Sequence, residues 1–200
     1  MIPGAILAAG ESRRMGRPKA WLPCGPGGEP FVRRLTVALL AGGIETVLLV
    51  GRPEDERLRS EAEAGGPRVC FVANRDAETG QISSVLAALE VADRPGVRGL
   101  LVVPVDQPLI QADTIARLIA AFTSAGAPIA RAVHRGRHGH PVIFGRPTFA
   151  ELRRVDRGVG AKAVVRAHAL DLLDVEVEDP GVVEDIDTPA DYQRLFGHAL

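Results

Sequence analysis

A glycine-containing loop near the start of the chain carries the residues best suited to bind an anion. Its basic side chains are Arg13, Arg14, Arg17 and Lys19. Glycine adopts backbone conformations closed to other residues, so main-chain N–H groups at Gly10 and Gly16 can point at a ligand. The apolar run at residues 5–9 predicts a buried strand, and open α/β sheets bind ligands at the carboxyl ends of such strands. The pattern favours a nucleoside triphosphate held by its phosphates. A basic surface loop after a core strand is the alternative.

The loop matches neither of the two best-known phosphate-binding motifs. The Walker A motif needs lysine directly after its last glycine, but Arg17 and Pro18 separate Gly16 from Lys19. The dinucleotide fingerprint needs two glycines one residue apart, and Gly10 has no such neighbour. The loop therefore predicts a phosphate site of another type.

Two aspartates outside the loop are candidate ligands for a divalent cation. Asp106 follows the most apolar predicted strand, at the sheet edge where the loop is expected, and Asp187 precedes Thr188 and Pro189. Mg²⁺ is held by one or two carboxylates together with phosphate oxygens and water. A turn aspartate that caps the next helix is the alternative for Asp106, and helix capping is the alternative for Asp187.

The loop as a whole resembles the signature of the MobA/MocA-like NTP transferases, the nucleotidyltransferases that act on the molybdenum cofactor. The matching string is Leu7-Ala8-Ala9-Gly10-x-Ser12-x-Arg14-Met15-Gly16-x-Pro18-Lys19. The resemblance implies that CMP is transferred from CTP to the terminal phosphate of molybdopterin carrying molybdenum, with release of pyrophosphate. It implies that Arg14 and Lys19 are catalytic and neutralise the phosphates. The nucleotide contacts it implies in this loop are Leu7, Ala8, Ala9, Gly10, Ser12, Arg14 and Lys19.

Three further segments extend the resemblance. After the third predicted strand, Asn74, Gly80 and Ser83 match an element that contacts the base and ribose in relatives. Asp106, in a D-x-P motif, and Asp187, in D-I-D-T-P-x-D, match the carboxylates that bind Mg²⁺, and Asp106 is assigned a catalytic role. The residues implied at the acceptor site are Gly139, His140, Pro141 and Lys162.

The order of apolar and amphipathic segments predicts an α/β fold. Predicted strands at 6–8, 46–50, 69–72 and 100–105 alternate with predicted helices at 31–40, 54–64, 82–92 and 112–124. This alternation is typical of a mostly parallel sheet covered by helices. Two short strands at 129–133 and 141–144 predict a small hairpin-like insertion. Helices at 148–154, 161–167 and 189–196 and a strand at 172–177 complete a three-layer Rossmann-like nucleotidyltransferase fold, predicted as one domain over residues 1–200.

Composition limits the partners. The net charge of −1 gives no reason to expect nucleic acid or a membrane surface as partner. Cys24 and Cys70 lack metal-ligand spacing and suit a reducing compartment. No run approaches the roughly 20 apolar residues of a membrane helix, and no basic leader precedes the first strand. The prediction is a cytoplasmic enzyme whose partners are an NTP, a molybdopterin-type acceptor and, transiently, a recipient molybdoenzyme.

Several alternatives remain open from the sequence. Ala9 and the segment 80–84 look more like cytidylyl members, but guanylyl transfer from GTP is a close alternative. A sugar-1-phosphate nucleotidyltransferase is a further alternative, although the chain has no long C-terminal extension. A non-catalytic cofactor carrier or chaperone for molybdoenzymes is the rival of another class. Retention of Arg14, Lys19, Asp106 and Asp187 argues against the carrier.

Overall fold

A computed structural model describes residues 1–25 and 27–198, and within these ranges seven strands form one central sheet. In chain order the strands are β1 (Gly4–Leu7), β2 (Pro23–Cys24), β3 (Glu29–Pro30), β4 (Val47–Gly51), β5 (Val69–Ala73), β6 (Gly99–Pro104), β7 (Ile129–His134), β8 (Arg137–Gly145) and β9 (Leu173–Glu176). The order in the sheet is β5-β4-β1-β6-β8-β7-β9. Strand β8 is antiparallel to both of its neighbours, β6 and β7, and all other neighbouring pairs in this sheet are parallel. Strands β2 and β3 form a separate antiparallel pair that the sequence analysis did not predict.

Helices cover both faces of the central sheet. They are α1 (Phe31–Ala41), α2 (Glu56–Ala64), α3 (Gln81–Ala92), α4 (Ala112–Ala125), α5 (Phe149–Arg154), α6 (Ala161–Ala167) and α7 (Pro189–Phe196). Successive side chains of a strand point to opposite faces. Accordingly, Ile6 packs in a cluster with residues of α1, α2, α4 and α7, whereas Ala5 and Leu7 pack with α3, α5 and α6. The predicted three-layer α/β fold is confirmed.

The predicted hairpin is confirmed as β7 and β8, and both strands belong to the central sheet. The residues that turn between them are Arg135 and Gly136, because His134 already pairs with Arg137. β8 lies directly beside β6 and antiparallel to it. Because β8 runs the opposite way, its first residues lie at the edge where β1 and β6 end. This direction brings Gly139 and His140 to the same edge as the glycine loop.

Two other features bear on the predictions from composition. None of the helices within residues 1–25 and 27–198 is long and apolar enough to cross a membrane. Cys24 and Cys70 are free thiols.

Candidate active site

Two adjoining cavities open at the carboxyl edge of β1 and β6. The first has a volume of 340 Å³ and is lined by the glycine loop, Asp106 and Asp187. The second has a volume of 680 Å³ and is lined by the start of β8, by residues 157–162 and by Asp185. Leu7, Gly80 and Gln81 line both cavities. A ligand in one cavity is therefore close to a ligand in the other.

The glycine loop turns sharply at Ser12 and Gly16. Both residues have positive φ, 54° and 74°, and the N–H groups of Met15 and Gly16 donate to the Ser12 carbonyl. The Ser12 hydroxyl accepts from the Lys19 N–H at 3.1 Å, which brings Lys19 back toward the strand end. Gly16 thus has the conformational role that the sequence predicts. Gly10 has no positive φ, and a Cβ there would meet nothing within 4 Å, so contacts within the chain do not require glycine at this position.

Lys19 lies between the two aspartates that the sequence analysis assigned to a metal. Its Nζ is 2.8 Å from Asp106 Oδ2 and 2.5 Å from Asp187 Oδ1, and Arg14 Nη2 is 2.8 Å from Asp187 Oδ2. The Lys19 side chain is only 9% exposed. Burial acts to lower the Lys19 pKa, but the hydrogen bonds that Lys19 donates to Asp106 and Asp187 outweigh it and raise the pKa above its ordinary value. The two carboxylates therefore favour the charged form of Lys19.

A backbone hydrogen bond brings the two distant motifs together. The N–H of Ile186 donates to the Asp106 carbonyl at 2.9 Å, and the Ile186 side chain is fully buried. This anchors the residue before Asp187 beside the end of β6. The aromatic side chains of Phe31, Tyr192 and Phe196 pack together and hold α7 against α1.

The capping alternatives for both aspartates are excluded by the observed contacts. Thr188 and Asp191 form a capping box at the start of α7, so the Asp187 carboxylate is left for Lys19 and Arg14. At the start of α4 the carboxylate of Asp179 accepts from the Gln111 N–H at 2.9 Å. Asp106 makes its contact with Lys19 instead.

The two carboxylates suit a divalent cation. Both reach one nitrogen, the Lys19 Nζ, so they can converge on a single ion. Mg²⁺ and similar hard cations bind one or two carboxylates and complete their coordination with phosphate oxygens and water. No group of three or more His, Cys, Asp or Glu side chains that could hold a metal occurs among the described residues. The residues present therefore fit a cation that arrives with a phosphate ligand.

The segment after β5 forms one wall of the first cavity and is held from behind by buried polar groups. The Asn74 side-chain amide donates to the hydroxyls of Ser83 and Ser84 at 2.8 and 2.9 Å, and Ser83 donates to the Gly80 carbonyl. Gly80 has φ of 95° and lines the cavity, as predicted from the sequence. Asn74, Ser83 and Ala8 do not line either cavity. Asn74 and Ser83 therefore position the wall rather than form its surface.

The second cavity combines basic side chains with an apolar floor. Its basic side chains, among the described residues, are Arg131, Arg137, His138, His140, Arg157, Lys162 and Arg166. Its apolar floor comes from Ile82, Val85, Val102, Val142, Phe144 and Val165. Such a lining suits a ligand with a flat ring, whose face packs on the apolar side chains, and with anionic groups. Of the predicted acceptor residues, Gly139, His140 and Lys162 line it and Pro141 does not. A Cβ at Gly139 would lie 1.9 Å from the Val182 carbonyl, so packing alone requires glycine there.

Sequence reasoning missed Gln107 and gave Asp185 no definite role. Gln107 is buried, donates to Asp185 Oδ1 at 2.6 Å and lines the second cavity with it. Burial raises the pKa of Asp185 above its ordinary value, although the hydrogen bond from Gln107 opposes the shift. Gln107 Oε1 is buried and has no hydrogen-bond partner among the described residues. Gln107 stands next to the D-x-P aspartate, and no pattern in the sequence indicates its contact with Asp185.

His140 is held neutral in the second cavity. Desolvation by burial lowers its pKa from 6.5 to about 4, with a smaller opposing effect from Asp106 and a smaller reinforcing effect from Lys162. Between pH 6.5 and 4 the unfolded chain takes up a proton at this position that the folded protein does not. Protons therefore favour unfolding over this range, and folding stability is lost as the pH falls.

We expect this group to lower the free energy of unfolding by about 2 kcal/mol at pH 4.5 relative to pH 7. Urea unfolding of the wild type and His140→Gln at both pH values measures it. The difference between the two pH values should be smaller in His140→Gln. His168, whose pKa is raised by Glu151 and Asp171 against desolvation, is present in both proteins and cancels in the comparison. Equal pH dependence in the two proteins would contradict the neutral state of His140.

Comparison with known proteins shows a match to one protein family over most of the chain. The model for the MobA-like NTP transferase domain matches residues 4–172. The purine catabolism protein PucB of Bacillus subtilis (strain 168) is 31% identical over 200 residues, which cover 96% of this chain and 94% of that protein. A protein of Mycobacterium avium (strain 104) named probable molybdenum cofactor guanylyltransferase is 29% identical over 199 residues, covering 97% of this chain and 94% of the other.

A solved structure with the same fold is that of Rv0371c from Mycobacterium tuberculosis H37Rv. It superposes with a TM-score of 0.79 and 26% identity, and the match covers 100% of both chains. Another structure of Rv0371c, in complex with manganese, superposes with a TM-score of 0.73 and 25% identity, covering 99% of each chain.

Proposed function

Since the chain belongs to the family of MobA-like NTP transferases, we propose that it transfers a guanylyl group from GTP to the terminal phosphate of a molybdopterin-type acceptor, releasing pyrophosphate. Its nucleotidyltransferase activity follows from the family. The observation that supports the choice of sites is that two cavities share Leu7, Gly80 and Gln81, one lined by the basic glycine loop with Asp106 and the other by basic side chains around an apolar floor. The NTP occupies the first cavity and the acceptor occupies the second.

The reaction in this arrangement is a single in-line displacement. An oxygen of the acceptor's terminal phosphate attacks the α-phosphorus of GTP, a new P–O bond forms, and the bond to the β-phosphate breaks. Pyrophosphate carries away the electron pair. The attacking oxygen is already anionic, so no protein nucleophile or strong general base is needed. Catalysis then consists of positioning and charge stabilisation.

Each part of the site has a role in this step. Lys19 and Arg14 bind the β- and γ-phosphates and stabilise the charge on the departing pyrophosphate. The backbone turn at Ser12 and Gly16 holds the triphosphate. Asp106 and Asp187 would hold a divalent cation, proposed as Mg²⁺, which supplies Lewis-acid stabilisation of the phosphate charge. The manganese complex of Rv0371c supports a divalent cation in a structure of this fold.

The choice of GTP rests on the relatives. Several relatives are named as guanylyltransferases of the molybdenum cofactor. The sequence analysis favoured CTP, and recognition of cytosine at this strand end would need unpaired backbone groups near Ala8 and Ala9. In the structure the Ala8 N–H donates to the Val50 carbonyl at 2.8 Å, and the Ala9 carbonyl accepts from Arg52 Nε at 3.2 Å. These groups already have partners, which weakens the argument for cytosine.

The remaining alternatives have less support. A carrier without turnover has no need for a buried lysine between two carboxylates, yet the structure assembles that cluster. A sugar-1-phosphate acceptor would not use the apolar floor of the second cavity. We place the reaction in the cytoplasm, with transfer of the product to a recipient molybdoenzyme, which the two free thiols and the family support.

A nucleotide panel tests the proposal. Purified protein is incubated with molybdenum-loaded molybdopterin, Mg²⁺ and each of GTP, CTP, ATP and UTP, and pyrophosphate release is measured. We expect kcat/KM for GTP to exceed that for the other nucleotides by about a hundredfold, because a mismatched base leaves polar groups unpaired in a partly dry site. A preference for CTP would replace guanylyl by cytidylyl transfer. No turnover with any nucleotide, together with binding of the acceptor, would support the carrier.

A further inference from the structure

Arg52 connects the two segments that form the walls of the first cavity. It follows β4 directly, and the three nitrogens of its guanidinium contact three different groups. Nε donates to the Ala9 carbonyl at 3.2 Å, Nη1 to Glu78 Oε1 at 2.7 Å, and Nη2 to Glu11 Oε1 at 3.4 Å. Ala9 and Glu11 belong to the glycine loop, and Glu78 belongs to the turn before α3.

These contacts reach the parts of both segments that face the cavity. On one side Ala9 lines the cavity itself, and Glu11 pairs with Arg13, which also lines it. On the other side Glu78 lies between the cavity-lining residues Ala77 and Gly80. Arg52 does not line either cavity. Its effect on a ligand must therefore pass through the residues that it holds.

We infer that Arg52 is a positioning residue that sets the base selectivity of the nucleotide site. It ties the glycine loop to the turn at residues 77–80, so these two walls of the cavity proposed for the NTP have one fixed separation. This inference rests on the proposed placement of the NTP in the first cavity. It holds for either preferred base, because it concerns the rigidity of the walls and not the identity of the base.

The physical reason is that selectivity between bases needs a rigid binding site. A site rejects the wrong base when polar groups of the site are left unpaired by it. Walls that can shift are able to pair again with the wrong base, and the penalty becomes smaller. Three separate contacts from one planar guanidinium restrain both walls at once, which a single ammonium group cannot do.

The contacts of Arg52 are better suited to positioning than to overall stability. Glu78 is 68% exposed and Glu11 is 35% exposed. Ion pairs at exposed positions contribute little to folding. Loss of Arg52 should consequently change ligand selection far more than the melting temperature.

The test compares Arg52→Gln with the wild type and with Arg33→Gln. Arg33 forms a similar two-nitrogen ion pair with Glu61, and because neither residue lines a cavity, Arg33 serves as the matched control. For Arg52→Gln we expect KM for the preferred NTP to rise about tenfold and the ratio of kcat/KM for GTP and CTP to move about tenfold toward unity. kcat for the preferred NTP should stay within about threefold of the wild type, because Lys19, Asp106 and Asp187 are untouched.

Two further variants separate a structural bridge from a simple charge effect. Arg52→Lys keeps the charge but has one nitrogen, so it should restore only part of the selectivity. Glu78→Gln should lower selectivity by less than Arg52→Gln, and the double variant should equal Arg52→Gln alone, since both changes remove the same bridge. Melting temperatures of all variants should match that of Arg33→Gln within a few degrees.

The outcomes distinguish this inference from the proposed function. Selectivity unchanged in Arg52→Gln, or fully restored in Arg52→Lys, overturns the bridging role. A fall in kcat equal to the rise in KM, with a lowered melting temperature, also overturns it, because general destabilisation then explains the change. If the wild type binds no NTP by calorimetry, the placement of the nucleotide fails, and with it the proposed function. Wild-type binding with an unaffected Arg52→Gln leaves the proposed function standing.

Discussion

Replacing Asp106 or Asp187 by asparagine should lower kcat about a thousandfold, while the fold remains intact. Each change removes one negative charge with little change in volume. Both carboxylates contact Lys19, and Asp187 also contacts Arg14, so each substitution disturbs the cation site and the orientation of the basic groups together. Pyrophosphate release measures turnover, and circular dichroism checks the fold.

Binding of Mn²⁺ measured by electron paramagnetic resonance separates the two effects. If the carboxylates hold the cation, Mn²⁺ affinity in the presence of NTP should fall by at least about tenfold in both variants. Asp113→Asn, at an exposed aspartate in the first turn of α4, is the control and should behave like the wild type. Turnover in Asp106→Asn equal to that of the wild type would remove the metal assignment.

Replacing Lys19 by methionine should lower kcat about a hundredfold and NTP affinity about tenfold. Charge builds on the pyrophosphate as it leaves, so a cation that contacts it stabilises the transition state more than the bound NTP. Methionine has a similar length and suits a side chain that is 9% exposed. Single-turnover rates and NTP binding by calorimetry give the two quantities separately.

Arg17→Met is the matched control for Lys19. Arg17 is a basic residue of the same loop, but it is exposed and does not line the first cavity. The Arg17→Met variant should retain nearly all of the wild-type activity. If Lys19→Met lost affinity for the NTP with kcat unchanged, Lys19 would stabilise the bound NTP and the transition state equally, and its catalytic role would be withdrawn.

Lys19 also has a role that the sequence did not predict. Its ammonium contacts one oxygen of each aspartate that would hold the divalent cation. Metal affinity should therefore be measured in Lys19→Met as well. Such a measurement shows how far the loss of activity comes from the phosphates and how far from the metal.

The sequence was sufficient to predict most secondary structure and the type of fold. Helices α1 and α7 begin where apolar periodicity and a proline predict, and α7 ends at the predicted residue. These features depend on residues close together in the chain. The glycine loop and the D-x-P and D-T-P motifs were recognisable for the same reason, because each is a short string whose geometry is determined locally.

The small pair β2–β3 and the position of β8 depended on longer-range contacts. β2 and β3 are two residues each, too short to show an apolar pattern. β8 could be predicted as a strand, but its place beside β6 depends on the packing of the whole sheet.

By itself, the sequence determined which residues could bind phosphates and a cation, but only the tertiary structure decided which of them meet. Asp106 and Asp187 become neighbours through the hydrogen bond from Ile186 to the Asp106 carbonyl. Arg52 carries no motif, and its role appears only from three contacts with residues 26 to 43 positions away in the chain. A motif reports local geometry, whereas the contacts between motifs depend on how strands and helices pack, and that information is spread over the whole chain.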